Sequence, residues 1–558
     1  MTLLQRVLSP MVDVRKEEST GILLMFLYSF LAMTAYNIIQ PLTRSNLIRS
    51  LGAVNVPWVI LGAGVFLGTL MLGYARFVGL LPRRWALPTT QLVMAAVLVG
   101  FWVLFQQPRE WVSVAFYVYG MLLGILLISQ FWTLANGVYD ARQAKRLFGF
   151  IGGGVSLGGA TGAGLTAVLA QRLGTNTLLL VSAGTLVACA AIVFFILGRE
   201  REATVSATAG VDEERGVGLA KAFALLRGSK QIQLIAVVIG FGSLGAALID
   251  QQVTMAAEAF KGRGQTDTIS AFLGEIRFYL SAAAFVIQVW VTPRIHKYLG
   301  IGFALLILPT NLALSAVFIL LNPSLLAPSV ATVSDRSIRY TVDKTTREVL
   351  FLPLPSTLRQ DVKPFVDVTV DRMSRGFGAL FILLLIQPWG FGLQWYQLSL
   401  ASLPLAALWY FMAFRAKREY ISSFRRSLDT KAIKTDELRL TGADLSTIET
   451  LVQELSHPEP ARVIYAIDML ESLEKSNLVT PLLLYHESPQ VRARALRAMG
   501  EARTEVSAGW VPQVRRALGD ADAAVRAAAL RALGNIARED AATLARPLLA
   551  DNDPRIRA

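Results

Sequence analysis

The residues best suited to chemistry are charged side chains inside long apolar stretches. Asp367, Asp371, Arg372 and Arg375 lie within one such stretch, only a few residues apart. Asp371 follows Asp367 by four residues and Arg375 follows Asp371 by four, so these three share one face of a helix. Charges in an apolar segment are unfavourable and usually face a cavity or a partner. Four of them so close together exceed what one structural ion pair needs, and they predict a cavity for a charged ligand.

Further charged residues stand at the edges of other apolar stretches. Asp250 ends the run IAVVIGFGSLGAALID, and Glu275 and Arg277 lie early in the next stretch. For Glu275 and Arg277 the alternative is an ion pair between helices that holds the fold together. Arg44 ends the first stretch, where it either faces the cavity or extends along apolar surface to water. We therefore count Arg44, Asp250 and Arg277 among the candidates for binding a charged solute.

Two uncharged polar residues, Gln130 and Asn136, lie in the stretch that ends in FWTLAN. A polar side chain in an apolar helix often hydrogen-bonds to a neighbouring helix. Contact with a ligand is the alternative. Asn136, at the end of the stretch, joins the candidate binding residues on that second interpretation.

Residues for covalent or metal chemistry are scarce. The chain has three histidines and one cysteine, Cys189, which leaves little for a zinc site and excludes an intrachain disulfide. The run FIGGGVSLGGATGAG lacks the Gly-Lys-Ser/Thr end of a phosphate-binding loop. No nucleophile–base set is visible either. The sequence therefore predicts no catalytic residue, no metal and no cofactor, and it does not indicate an enzyme.

The glycines of that run have a different pattern. Gly154, Gly158 and Gly162 are spaced by four residues, as are Gly64 and Gly68. This spacing places small residues on one helical face and lets membrane helices approach closely. Helix packing is the expected role, and a moving contact between two parts of the protein is the functional alternative.

Composition indicates which elements must carry these residues. Of the 558 residues, 54% are hydrophobic and 17% are charged, and the mean hydropathy is +0.48. A soluble domain has about 25% charged residues. Twelve stretches have the roughly 20 apolar residues that a membrane helix needs, beginning near residues 21, 56, 87, 111, 147, 176, 231, 271, 300, 324, 364 and 396. The sequence predicts an all-α, polytopic protein in a lipid bilayer, with polar interruptions in 324–350 and 364–386.

The loops indicate orientation and internal symmetry. Most loop lysines and arginines, with Arg339 counted among them, lie on the side of both termini, which predicts cytoplasmic termini.

The polar stretch 199–230 divides the twelve segments into six and six. Arg142–Lys145 precedes segment five, and Arg359–Lys363 precedes segment eleven. We expect a major-facilitator-like pair of six-helix halves, 1–200 and 231–415, joined by a cytoplasmic loop, 201–230, with the substrate site between them.

Two loop motifs resemble those of the ATP:ADP antiporter family, the nucleotide transporters of plastids and obligate intracellular bacteria. The first motif comprises Phe131-Trp132, Ala135-Asn136, Gln143-Ala144-Lys145-Arg146 and Gly149. The second comprises Arg339-Tyr340, Asp343, Thr346-Arg347-Glu348, Pro353-Leu354, Lys363 and Asp367-Val368. The resemblance extends over residues 15–420. It implies a twelve-helix transporter that exchanges ATP against ADP or takes up nucleoside triphosphates, in the inner membrane of a bacterium.

A nucleotide carries several negative charges, and lysines or arginines must meet them in the cavity. The candidates are Arg44, Lys145, Arg277, Lys363 and Arg375, with Asn136, Asp250 and Asp367 as further site residues. Tyr36 or Trp132 is a candidate for stacking on the base.

The chain departs from the family pattern at specific positions. Thr43 stands where the family has a functional lysine, and Gln40 where it has an arginine. A functional glutamate is absent near Gly120 to Leu123, and another is matched conservatively by Asp250. Three alternatives follow: nucleotide exchange, transport of another anionic or proton-coupled solute, and a membrane scaffold that no longer transports.

A soluble domain follows the membrane part. Residues 416–444 form a basic linker. In 445–558, ESPQVRARALRAMGEA and ADAAVRAAALRALGNI align at an offset of 34, with an earlier copy in 458–473. This pattern resembles HEAT-type repeats, which stack into an α-solenoid. We expect a cytoplasmic domain that regulates the transporter or binds a protein partner. Aromatic residues do not interleave with its arginines, so we expect no nucleic acid.

Overall fold

The computed structural model describes residues 19–107, 109–139, 141–199, 229–292, 294–295, 300–351, 354, 362–363, 365–429, 445–473, 475–501 and 508–536. Within these ranges the regular elements are helical. The twelve expected membrane segments are present as helices that start close to the predicted positions.

The first half is formed by six long helices. They are α1 (Ser19–Leu51), α2 (Val56–Gly79), α3 (Arg83–Leu104), α4 (Glu110–Val138), α5 (Ala141–Leu173) and α6 (Thr177–Arg199). Buried apolar side chains from α1, α3, α4, α5 and α6 form its main core. Gln130 in α4 is buried in this core and donates to the hydroxyl oxygens of Tyr74 (3.1 Å) and Thr90 (3.0 Å). The predicted hydrogen bonding of Gln130 to neighbouring helices is therefore confirmed.

The second half has the same number of helices, three of which contain a π-helical turn. They are α7 (Lys230–Lys261), α8 (Thr266–Val286, extended by the turn Ile287–Val291), α9 (Gly300–Leu321), α10 (Leu326–Ile338, the turn Arg339–Asp343, then Lys344–Leu350), α11 (the turn Phe365–Val370, then Asp371–Ile386) and α12 (Ser399–Asp429). In the described ranges, nine helices are long and apolar enough to span a membrane, and a bent helix over 53–79 makes a tenth. The remaining two are α10 and α11, the segments with the predicted polar interruptions.

The glycine face of α5 packs directly on α1. A Cβ atom on Gly154, Gly158 or Gly162 would collide with Phe26, Phe30 or Thr34 of α1, in each case with a backbone oxygen. Main-chain contact of this kind requires glycine, so the predicted close packing is confirmed, and its partner is a helix of the same half. The corresponding prediction for α2 is wrong, because a Cβ on Gly64 or Gly68 would meet no atom of the described residues within 4 Å.

Arg339 is a helix residue and not a loop residue, which corrects its use in the orientation argument. It lies in the π-helical turn of α10 and is paired with Asp335 at 2.7 Å. Asp343 and Arg347 form the next pair along this helix, at 2.8 Å. The spacing of four residues lets a helix neutralise its own charges, which explains how α10 tolerates so many of them.

The C-terminal domain consists of short stacked helices: α13 (Leu445–Glu454), α14 (Pro460–Ser472), α15 (Pro489–Gly500), α16 (Val511–Arg516) and α17 (Ala523–Ile536). The predicted repeat positions Val491, Leu496 and Met499 are buried in its core, as are Val525 and Leu533. In the second half, α13 contacts α9 and α12, and α14 contacts α12. The domain is therefore attached to one half of the membrane part.

An ion pair joins two successive repeats. Arg492 of α15 donates to both carboxylate oxygens of Asp520, at 2.9 and 2.8 Å. Hydrogen bonding from Arg492 lowers the pKa of Asp520 below its usual range. A carboxylate with a lowered pKa stabilises the folded state above the pKa of the unfolded chain, about 4, and this contribution is lost as the pH falls through the folded pKa.

We expect Asp520→Asn to loosen this contact at neutral pH. Amide hydrogen exchange of α15 in the purified full-length protein, corrected for intrinsic rates, should be about two- to fivefold faster than in the wild type. The difference between the two proteins should shrink as the pH falls through the lowered pKa of Asp520, where its carboxylate takes up a proton. Glu487→Gln, at an exposed position, is the control. Equal protection of Asp520→Asn and wild type at pH 7 would contradict this account.

Candidate functional site

Arg277 of α8 reaches across from the second half to the first. Its guanidinium donates to the Asn37 side-chain oxygen at 3.2 Å and to the Gln40 side-chain oxygen at 2.9 Å. Both acceptors belong to α1 and both are neutral amides. The interhelical ion pair considered for Arg277 is therefore replaced by amide contacts that leave its positive charge in place. Glu275, two residues earlier, is exposed.

A second connection between the halves is formed by charged residues. Arg336 of α10 donates to the two carboxylate oxygens of Asp250 in α7, at 2.6 and 2.8 Å. Arg44 of α1 lies 3.9 Å from the same carboxylate. The side chains of Arg44, Asp250 and Arg336 retain 18%, 29% and 20% of their accessible surface. Their side chains are only partly accessible, and we interpret the water-accessible space that they face as a cavity between the helices.

We refer to Arg44, Arg277 and Arg336 as the arginine cluster. The three guanidinium groups lie close enough together to interact electrostatically, with Asp250 among them. Three positive charges face one carboxylate here. Asp335 also acts on Arg336, but it is paired with Arg339, so these described side chains together have an excess of two positive charges. A cavity of this charge suits a polyanion.

Aromatic rings and a fourth arginine stand beside the cluster. Tyr36 of α1 lies within electrostatic range of Arg277, Arg336 and Arg375, and Tyr340 of α10 within that of Arg277 and Arg336. Arg375 pairs with Asp371 at 2.6 Å and keeps 64% of its side-chain surface exposed. The cavity thus offers aromatic surface next to positive charge.

One end of the cavity is sealed by contacts between the halves. We call it the joined end, where α1 and α7 finish. Glu258 accepts from the backbone nitrogen of Ala53 at 2.7 Å, and Gln251 donates to the oxygen of Ala53 at 2.7 Å. Arg263 donates to the backbone oxygens of Arg49 and Ser50. Side chains of the second half therefore satisfy backbone groups at the end of α1.

The interface of α5 and α8 continues this seal. Asp267 accepts from the backbone nitrogen of Thr175 at 2.7 Å, and the hydroxyls of Ser45, Thr175 and Ser270 are linked at 2.5 and 3.0 Å. A Cβ on Gly274 would lie 2.8 Å from a backbone nitrogen of α5. The two halves therefore meet at backbone distance, as interfaces of small residues allow.

The structure brings together only some of the predicted site residues. Arg44, Asp250 and Arg277 meet at the cluster, and Arg375 stands beside it. Lys363 instead pairs with Glu348 at 2.6 Å, near the end of α10 and the start of α11. Asn136 is exposed near the end of α4. The side chains of Lys145 and Asp367 lie outside the described residues.

Arg336, the closest partner of Asp250, was not among the residues predicted from the sequence. A signal was present: Asp335, Arg339, Asp343 and Arg347 follow one another at intervals of four and pair along one face of α10. Arg336 does not belong to this four-residue series, and its side chain contacts Asp250 of α7 instead. Asn37 was also missed, and nothing in its sequence environment marks it.

The departures at Thr43 and Gly120 fall at one contact. A Cβ on Gly120 would collide with the Thr43 side chain. Thr43 and Gly120 are therefore neighbours in this structure, and both are small and uncharged. Gly124, one turn later, makes room for the ring of Tyr36.

Comparisons with known proteins give a consistent result. The family model described as TLC ATP/ADP transporter matches residues 80–420, and a HEAT repeat model matches residues 476–558. The ADP,ATP carrier protein 1 of Chlamydia muridarum is 22% identical over 330 residues, which are 52% of this chain and 61% of that protein. Its namesake in Chlamydia pneumoniae is 22% identical over 355 residues, 56% of this chain and 68% of that protein. The chain thus spans about three fifths of the length of the first of these relatives.

Among solved structures, a mutant of the nucleoside transporter NupG superposes with a TM-score of 0.52 at 14% identity. The match covers 71% of this chain and 99% of that one. At this identity the likeness concerns the fold alone, and it confirms the predicted transporter fold of two six-helix halves.

Proposed function

This chain belongs to the TLC ATP/ADP transporter family, and from that membership and the arginine cluster we propose that it exchanges ATP against ADP, or a closely related nucleotide, across a membrane. It is an integral membrane protein of the transporter class. The observation that carries the proposal is the cavity in which Arg44, Arg277 and Arg336 converge from both halves. Such a site fits a polyphosphate better than a neutral solute.

The chemistry of the cluster suits phosphate groups. A guanidinium binds two phosphate oxygens side by side, and such charged hydrogen bonds are stronger than neutral ones. Arg277 is held in place by two neutral amides, so its charge is available to an anion. We propose that Arg44, Arg277, Arg336 and Arg375 bind the phosphates and that Tyr36 or Tyr340 contacts the base. Lys145, Lys363, Asn136 and Asp367 remain proposed as residues along the path to the site.

Transport would follow by alternating access. In this proposal residues 1–200 and 231–415 rock against each other around the arginine cluster. The joined end is shut in the present state, so the nucleotide reaches the cluster from the opposite end, where α1 begins and α12 finishes. We propose that this end, with both termini, faces the cytoplasm of a bacterium whose inner membrane holds the protein. Opening of the joined end would break the backbone contacts of Ala53 and Thr175.

The repeat domain has a separate proposed role. Its first helix, α13, contacts α9 and α12, and α14 contacts α12, so the domain would move with the second half. We propose that residues 445–558 regulate the transporter or bind a protein partner at the cytoplasmic face. Residues 416–429, which the sequence predicted as part of the basic linker, instead continue α12, because Ala416 and Tyr420 are buried in the core of the second half. Pull-down of a partner that is lost when 445–558 are deleted would test this role.

Exchange in proteoliposomes tests the proposed function. Purified protein is reconstituted with internal ADP, and uptake of labelled ATP is measured with and without that internal ADP. We expect uptake that depends on internal nucleotide. Nucleotides should also raise the melting temperature of the detergent-solubilised protein, because a ligand of the folded state stabilises it.

Arg172→Gln, at an exposed arginine of α5, is the matched control and should behave as the wild type. If neither uptake nor stabilisation by any nucleotide is seen, the proposal is wrong. In that case a panel of other anions, measured with and without a pH gradient, would identify a different substrate.

A further inference from the structure

Asp250 occupies guanidinium edges of the arginine cluster. Its two oxygens accept from the guanidinium of Arg336 at 2.6 and 2.8 Å, and one of them lies 3.9 Å from Arg44. Among the described carboxylates it is the one that forms an ion pair with the arginine cluster. A carboxylate and a phosphate bind arginine through the same two-pronged geometry. They therefore compete for the same guanidinium edges.

The surroundings explain why a competing anion is needed. Arg44 and Arg336 keep only about a fifth of their side-chain surface accessible. A guanidinium at this depth has lost much of its hydration. Without an ion-pair partner, the remaining water offsets that desolvation cost only in part. In this structure Asp250 is the partner that neutralises part of this charge. A bound polyphosphate would supply the same neutralisation and make Asp250 unnecessary.

The position of Asp250 also connects this competition to movement. Arg44 belongs to α1 in the first half, whereas Asp250 and Arg336 belong to α7 and α10 in the second half. The contact between Arg44 and Asp250 therefore crosses the interface that must open during alternating access. A phosphate that takes over Arg44 would release the first half from Asp250.

We propose that Asp250 is an internal counter-anion that holds the arginine cluster in the empty transporter and yields it to the phosphates of the substrate. This inference rests on the proposed function and assigns Asp250 the role of a positioning residue in place of a direct ligand. Binding then exchanges one set of ion pairs for another. When Asp250 returns to Arg336 and Arg44, it displaces the phosphates and assists release.

The test compares three proteins by nucleotide binding and by exchange. Asp250→Asn keeps the size of the side chain and removes its charge. We expect its Kd for ATP to fall by about tenfold, since truncating one member of a close charge pair has effects of this order or larger. Its KM for exchange should fall as well, and its kcat should fall too because release is no longer assisted. Damage to the fold would raise Kd and would not produce this combination.

Asp343→Asn is the matched control, because it removes the same charge from a pair with Arg347 in α10. It should bind ATP as the wild type does. If Asp250→Asn is folded and binds ATP no more tightly than the wild type, the counter-anion proposal is overturned.

Asp250→Glu keeps the proposal testable if the asparagine variant does not fold. The longer side chain retains the charge and can approach Arg44 more closely. We expect ATP binding equal to or weaker than that of the wild type, and tighter binding would overturn the proposal.

Wild-type binding of ATP in the same assay reports separately on the proposed function. If ATP does not bind, pyrophosphate replaces it as a polyanion that lacks a base. The affinities of the wild type, Asp250→Asn and Asp343→Asn for pyrophosphate then decide the role of Asp250. Absence of binding by both anions would overturn the counter-anion proposal together with the proposed function.

Discussion

Arg277→Gln should lower the affinity for ATP by about 100-fold, which corresponds to roughly 3 kcal/mol and lies within the range measured when one partner of a buried charged contact is removed. Arg277 extends from α8 to the amides of Asn37 and Gln40 in α1. Those neutral partners orient the guanidinium without neutralising it. Glutamine retains hydrogen-bonding capacity toward α1 and loses the charge that attracts phosphate.

This loss of affinity is measured by titrating the purified variant with ATP and recording the shift in its melting temperature. Exchange in proteoliposomes should fall in parallel. Arg277→Lys keeps the charge and loses the two-pronged geometry, so its loss should be intermediate, about tenfold. The exposed Arg172→Gln serves as the charge-matched control. ATP affinity within twofold of the wild type in folded Arg277→Gln would contradict a phosphate-binding role for this residue.

Gly158→Ala should destabilise the membrane part by about 2–3 kcal/mol, the upper part of the range of about 1–3 kcal/mol for atoms added to a tightly packed interior. The added Cβ would meet the backbone carbonyl of Phe30 in α1. A flexible side chain could move aside, but a helix backbone cannot move without shifting its neighbours. The two helices must therefore separate along the whole face that Gly154, Gly158 and Gly162 share.

Gly152→Ala is the matched control because it makes the same change in the same helix. A Cβ at Gly152 would meet no atom within 4 Å. Its stability should be unchanged or slightly higher, since alanine favours a helix over glycine by up to about 1 kcal/mol. Thermal unfolding in detergent should show a lower melting temperature for Gly158→Ala and not for Gly152→Ala. Equal melting temperatures of the two variants would show that the α1–α5 contact adapts easily.

Some of the site could be predicted from local pattern alone. Charges such as Asp250 and Arg277 stand out in apolar helices because the membrane interior penalises them. Lys363 shows the limit of that argument. Its charge was equally visible, but the structure pairs it with Glu348 near the end of the helices. A charge near a helix end can be neutralised locally, and the sequence does not show whether such a partner is within reach.

The sequence by itself determined the helices, the division into two halves and the repeat core, because apolar period and length are local properties of the chain. It also determined that Gly154, Gly158 and Gly162 share a face. Only the tertiary structure decided which helix that face meets. Gly64 and Gly68 have the same spacing, yet within the part of the chain that the structure describes a Cβ on either would meet no atom within 4 Å.

The arginine cluster likewise depends on contacts between residues far apart in the chain. Arg277 and Gln40 are 237 residues apart, and Asp250 and Arg336 are 86 apart. Such pairs form only at one particular crossing angle and rotation of the two helices. No short segment of the sequence specifies that angle or that rotation. The sequence supplied the charges, and the packing of α1, α7, α8 and α10 placed Arg44, Arg277 and Arg336 around Asp250.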